Sequence, residues 1–218
     1  MPRHTIYLND LLHATRQNDL DCVKQLMSDK LKPKDKNSQL FQCLAESQPA
    51  TKTEDLQRLI LEATALSNPA ILKYFIKQGA NINFACKFIL GGKSDCNTTP
   101  LHVAVEKQSH DAIEVLINAN ANVNLPDSCG KTPLHHACQN CDVIATRLLA
   151  CSGANTQLVD KRGTTALQLA SKFGHVDLVR VLLDHNAQIF QEKQRGLSAL
   201  HIAATEVSQV DLQYTINT

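Results

Sequence analysis

Thr99-Pro100-Leu101-His102-Val103-Ala104 decides the fold, because the same pattern returns three times at one spacing. Thr132-Pro133-Leu134-His135-His136-Ala137 lies 33 residues on. Thr165-Ala166-Leu167-Gln168-Leu169-Ala170 and Ser198-Ala199-Leu200-His201-Ile202-Ala203 follow at the same step. A fixed period of this length means stacked supersecondary units, none of which can bury its apolar face alone. Downstream of the first three lies a second apolar group. Its members are Ile113, Leu116 and Ile117, then Thr146, Leu149 and Ala150, then Val179, Leu182 and Leu183. The i, i+3, i+4 spacing predicts a second helix per unit, with each trio facing inward.

Each unit is punctuated by its chemistry. Thr or Ser stands where a helix N-cap is needed, and its hydroxyl can accept a free backbone N–H. Pro100 and Pro133 come next, where a missing N–H is harmless. Ala104, Ala137, Ala170 and Ala203 recur where neighbouring helices must approach closely. The second helices are expected to end at Asn120-Ala121, Gly153-Ala154 and Asn186-Ala187, since Gly and Asn tolerate the left-handed conformation. Polar stretches ending in Gly130, Gly163 and Gly196 lead back to the next Thr or Ser and suit hairpin-like turns.

The pattern resembles the ankyrin repeat, with its T-P-L-H-x-A signature on a period of 33. The resemblance is clear over residues 98–204, about half the chain. Gln108 and Cys141 depart from it, standing where the family has Gly between the helices; Gly174 keeps it. The implied fold is all-α, a solenoid of helix–turn–helix units with hairpin turns. Units are expected at 98–130, 131–163 and 164–196, with a partial or capping one at 197–218. Upstream, residues 57–97 fit the template through Ala63, Leu72, Phe75 and Ile76, then Gly79-Ala80-Asn81-Ile82-Asn83. About eight extra residues fall in the Phe84–Asn97 loop. Residues 1–56 carry a degenerate capping repeat over Leu11–Met27, a basic linker from Lys30 to Lys36, an extra helix over Ser38–Glu46 and a loop from Gln48 to Thr53. Val207–Ile216 lacks the strong trio, which favours an array continuing past Thr218 over a finished cap.

Composition agrees with a packed helical chain. Apolar residues are 43%, charged residues 20% and aromatics 4%, with no Trp. The core must therefore be built from Leu, Ile, Val and Ala. A net charge of +1 makes no case for nucleic acid. No apolar run reaches the length of a membrane span, and Met1–Leu12 lacks a signal's apolar stretch. Eight irregularly spaced Cys then read as reduced thiols in a cytoplasmic compartment, which could be that of a host cell if the chain comes from an intracellular pathogen.

Several constellations invite chemistry. His135, His136, Cys138 and Cys141 include a Cys-x-x-Cys beside two His, but a zinc site usually needs a second matched pair. Cys86 and Cys96 are exposed-loop thiols without a sequence-local base. Leu90-Gly91-Gly92-Lys93-Ser94 lacks the first Gly of a phosphate-binding loop, since Lys87 stands there. No cofactor is implied. The resemblance gives Asn83 and Asn124 a turn-holding role, and in some family members this Asn is hydroxylated.

The resemblance also places partner choice on the concave face of hairpin tips and first helices. The positions mapped there are Lys131, Gln139, Asn140, Lys161, Arg162, Lys172, Phe173, Arg195 and Leu197, with Asp95, Cys96, Glu106, Lys107, Ser128, Cys129, Thr164 and Gln194 around them. Phe173 is an exposed aromatic anchor amid Lys161, Arg162, Lys172 and Arg195. The expected role is a monomeric scaffold whose protein partner presents acidic residues and an apolar side chain. Two alternatives stand beside it. The chain could be the targeting module of a larger, possibly host-directed protein whose activity lies beyond residue 218, or an enzyme using the Cys or zinc constellations.

Overall fold

The Thr of each repeat does open a helix, and its neighbours close a reciprocal cap. A computed structural model describes residues 3–27, 53–87 and 97–188, with ten helices among them. The expected helix at Ser38–Glu46, the linkers around it, the P-loop-like stretch and everything from residue 189 lie outside the described residues. The chain divides into two units, Met1–Phe84 and Ala85–Thr218.

The first unit holds α1 (Arg3–Arg16), α2 (Leu20–Met27), α3 (Thr53–Ala65) and α4 (Pro69–Lys77). Helix α3 starts at Thr53, so the boundary expected between residues 56 and 57 falls inside it. The helices pair as α1 with α2 and α3 with α4, and the pairs meet through α1 on α3 and α2 on α4. Leu11, Leu12, Ala14 and Val23 are buried against Leu59, Ile60, Ala63, Ile71, Leu72 and Phe75. Thr15 and Thr64 are buried too, because each hydroxyl donates to the carbonyl four residues back. Asn68 caps α4 by accepting from the Ile71 N–H at 3.2 Å.

The second unit begins with a two-residue antiparallel ladder, β1 (Cys86–Lys87) with β2 (Asn97–Thr98), at the base of the extended loop. Three helix pairs follow. They are α5 (Pro100–Glu106) with α6 (His110–Asn118), α7 (Pro133–Gln139) with α8 (Val143–Cys151), and α9 (Ala166–Lys172) with α10 (Val176–Asp184). First helices stack on first helices and second on second: α5 on α7 on α9, α6 on α8 on α10. Ala104, Ala137 and Ala170 are fully buried, as close stacking requires.

The inward face of the second helices departs from the sequence expectation at its third position in the first and third pairs, where Ile117 is half-buried and Leu183 exposed, while Ala150 of the second pair is buried as expected. Leu183 is 38% exposed, while Leu178, Val181 and Leu182 are buried. In the first and third pairs the stripe is centred one residue earlier, on Ala112, Ile113 and Leu116 and on Leu178, Val181 and Leu182. A helix whose trio follows i, i+3, i+4 also satisfies that pattern when the frame moves back one position, and small Ala112 hides the move in the first pair.

The turn between paired helices needs one left-handed residue in every pair. Gly174 supplies it at φ 68°, but Gln108 and Cys141 adopt φ 53° and 60° with side chains attached. A left-handed L-residue costs about 1–2 kcal/mol. Gln108→Gly should therefore raise unfolding stability by about 1 kcal/mol, which urea titration would show. A neutral or destabilising result would mean that the Gln108 side chain contributes packing that offsets its backbone strain.

Candidate functional site

The hairpins between helix pairs are built on two aspartates one period apart. Asp127 Oδ1 accepts the N–H of Cys129 and of Lys131, both at 2.8 Å. Asp160 does the same for Arg162 and Thr164 at 2.9 and 2.8 Å. The hairpins touch through Lys161 N–H donating to the Cys129 carbonyl at 3.0 Å. Gly130 sits in this contact at φ +76°, and a Cβ there would lie 2.8 Å from Lys161 N.

Histidines tie each first helix to the next hairpin. His102 Nδ1 accepts from the Thr99 N–H at 3.3 Å, and its Nε2 pairs with the Lys131 carbonyl at 3.0 Å. His135 repeats this with Thr132 at 3.1 Å and the Thr164 carbonyl at 3.1 Å. Each histidine thus joins the cap of its own helix to the following hairpin. Burial holds the His102 imidazole down at about 4, and nearby His136 pushes the same way. Burial likewise lowers His135.

A cleft of about 230 Å³ opens where α5, α7 and the first of these hairpins meet. Thr98 and Glu106 contribute from one repeat; Asp127, Cys129 and Lys131 contribute from the hairpin. His136, Gln139 and Asn140 complete the lining from α7 and its end. His136 pairs with Asp127 at 2.9 Å, and its ring stands edge-on to His102, with centroids 5.4 Å apart. Burial raises the Asp127 carboxyl, but the bonds from His136 and the backbone outweigh it and hold it below the usual carboxylate range. Lys131 Nζ donates to Gln139 Oε1 at 2.7 Å. Asn140 Nδ2 donates to the Val105 carbonyl at 3.4 Å.

Lys131, Gln139 and Asn140 therefore share one cleft. Lys161 and Arg162 are exposed at the next hairpin, while Lys172 and Phe173 are exposed at the far end of α9. That helix has seven residues and separates the two groups by about 10 Å along its axis. Phe173 is 45% exposed, and its ring lies 6.2 Å from that of His175 in its own turn. Thr164 does not belong to the accessible set: it is 6% exposed, and its carbonyl is committed to His135. Arg195 and Leu197 lie outside the described residues. Asn124 bridges two loops, with its Nδ2 donating to the Gly153 carbonyl at 3.2 Å and its Oδ1 accepting the Asn155 N–H at 2.7 Å. Asn83 is exposed, and its N–H donates to Asn81 Oδ1 at 2.9 Å.

The His/Cys constellation is dispersed. His135 and His136 are engaged as described. Cys138 is fully buried, and burial pushes its thiol up to about 12. Cys141 is exposed beside the His175 imidazole. Among the described residues no three His, Cys, Asp or Glu side chains are grouped to hold a metal ion.

These stacked helix pairs, forward-reaching histidines and Asp-centred hairpins agree with a family comparison. The family model described as "Ankyrin repeats (3 copies)" matches residues 59–160 and 142–212. The chain belongs to the ankyrin-repeat family. Curated proteins give no match to it. Ankyrin repeats form protein-binding modules and are typically non-catalytic. Among the described residues, no helix of this ankyrin protein is long and apolar enough to cross a membrane.

The sequence alone passed over His136 and Asp127 as cleft residues. A signal existed for each. The repeat frame places Val103, Leu169 and Ile202 where His136 stands, so one unit alone has a polar side chain there. Asp127 and Asp160 recur at the period of the array.

Proposed function

We propose that this ankyrin array is a scaffold that binds a partner protein through its hairpins and first helices, with Lys161, Arg162 and Lys172 receiving acidic residues and Phe173 an apolar one. The observation that carries this reading is the side-chain inventory of the third pair. Lys161, Arg162, Lys172 and Phe173 are all exposed, and the carboxylate of that hairpin, Asp160, is 6% exposed and turned to backbone N–H groups. The accessible field there is positive. A large, rigid aromatic at 45% exposure is the type of side chain that anchors interfaces. Arg195 and Leu197 would extend the same surface. The chain acts as a monomer in this reading, without cofactor and without nucleic acid or membrane.

Affinity capture from cell lysate tests it, using the parent beside a Phe173→Ala, Arg162→Glu double variant of unchanged helicity. The expected result is a partner held by the parent and lost, at least tenfold, from the variant. Equal capture by both would contradict the assignment. Asn83 and Asn124 are proposed hydroxylation positions, on the family resemblance alone; an intact-mass gain of one oxygen mapped to either residue checks this.

A further inference from the structure

The cleft between the first two repeats of the second unit contains polar groups that the fold leaves unused. Thr98 is 6% exposed, and its hydroxyl is buried without a hydrogen-bond partner among the described residues. Buried hydroxyls are nearly always paired, so an orphan on a cleft wall marks a place where something else completes the bond. Glu106, on the same cleft, is exposed and has neither an ion-pair nor a hydrogen-bond partner among the described residues. Asn140 commits its Nδ2 to the Val105 carbonyl, which leaves its Oδ1 as a further acceptor. Two carboxylates, Glu106 and Asp127, line the cleft against one ammonium, Lys131. Asp127 is 7% exposed and already accepts from His136 and two backbone N–H groups, so exposed Glu106 is the open anionic contact.

We infer that this cleft is a pocket for one cationic side chain of the partner, an arginine or lysine, seated on Glu106, Asn140 Oδ1 and the Thr98 hydroxyl. This deepens the scaffold reading and rests on it. A guanidinium offers five N–H donors and no acceptor, which matches an acceptor-rich wall. The volume, about 230 Å³, is below that of sites that take drug-sized ligands and suits a single side chain. The donors that remain, on Lys131 and the Gln139 amide, suit the main-chain carbonyl of the residue so seated. The partner segment is then bipolar: one basic residue at the Glu106 cleft, and acidic residues toward Lys161 and Arg162.

The test needs no partner. N-acetyl-arginine N-methylamide is titrated into the intact chain and followed by ¹H–¹⁵N chemical shifts, with the uncharged N-acetyl-citrulline N-methylamide as its isosteric counterpart. A lone side chain should bind at millimolar concentration. The expected result is saturable shifts at Thr98, Glu106, Lys131 and Asn140, weakened about tenfold or more for citrulline and in Glu106→Gln, since a charged hydrogen bond is lost. Thr98→Val should raise the melting temperature, because it removes an unsatisfied hydroxyl, while weakening arginine binding. Absence of saturation, equal binding of citrulline, or unchanged affinity in Glu106→Gln would overturn the pocket. Loss of the pocket with the groove partner still captured would leave the scaffold reading intact. Saturation with no Phe173- and Arg162-dependent partner would do the reverse.

Discussion

Acidification from pH 7 to pH 4 should remove about 3 kcal/mol of folding stability through His102 alone. Burial lowers this imidazole from 6.5 to about 4, and each pKa unit is worth about 1.4 kcal/mol. The folded state binds the proton less well than the unfolded chain does. The stabilisation is therefore full above pH 6.5, declines as pH falls through that value and is gone below about 4. The geometry supplies the reason: Nδ1 must stay unprotonated to accept the Thr99 N–H, while Nε2–H donates to the Lys131 carbonyl. His135, lowered by burial and bonded in the same way, adds to the loss as pH falls below the ordinary imidazole value. Asp127, held low, adds a further loss below the ordinary carboxylate value. Urea unfolding at pH 7, 5.5 and 4 measures this. His102→Gln should flatten part of the slope, because Gln168 occupies the equivalent place and accepts the Thr165 N–H at 3.1 Å without titrating. An unchanged slope in that variant would remove His102 from the account.

Leu182→Ala should cost about 2–5 kcal/mol, whereas its neighbour Leu183→Ala should cost under about 1. Leu182 is fully buried in α10, and Leu183 is 38% exposed. Truncating Leu182 removes apolar contact and leaves a cavity that the stacked helices α8 and α9 cannot close, because their own side chains are in place. Thermal or urea unfolding of the two variants separates them. Equal losses would mean that the inward face of α10 is centred where the sequence pattern alone put it.

That pair of leucines shows what the sequence carries and what it does not. The period of the Thr-Pro-Leu-His units located the three described helix pairs and their caps, since capping and helix-ending chemistry is local. The rotation of each second helix was ambiguous by one residue, because several apolar side chains flank every inward position and only packing chooses among them. The site divides in the same way. Lys131, Gln139 and Asn140 were placed by repeat frame and do share a cleft. Thr164 was placed by the same frame and is buried, because its carbonyl is drawn under His135, a partner 29 residues away in the chain. His136 breaks the apolar pattern of its repeat position and Asp127 recurs as Asp160 one period on, but their pairing is visible only once the hairpin is folded back over α7.

The claim on which the account depends is the location of the partner on the hairpin and first-helix face. Hydrogen–deuterium exchange of the chain, alone and with the captured partner bound, measures this directly. Protection is expected at residues 127–131, 139–140, 160–164 and 172–173, with α8 and α10 unchanged. Protection confined to α8 and α10, or to residues before 85, would contradict it.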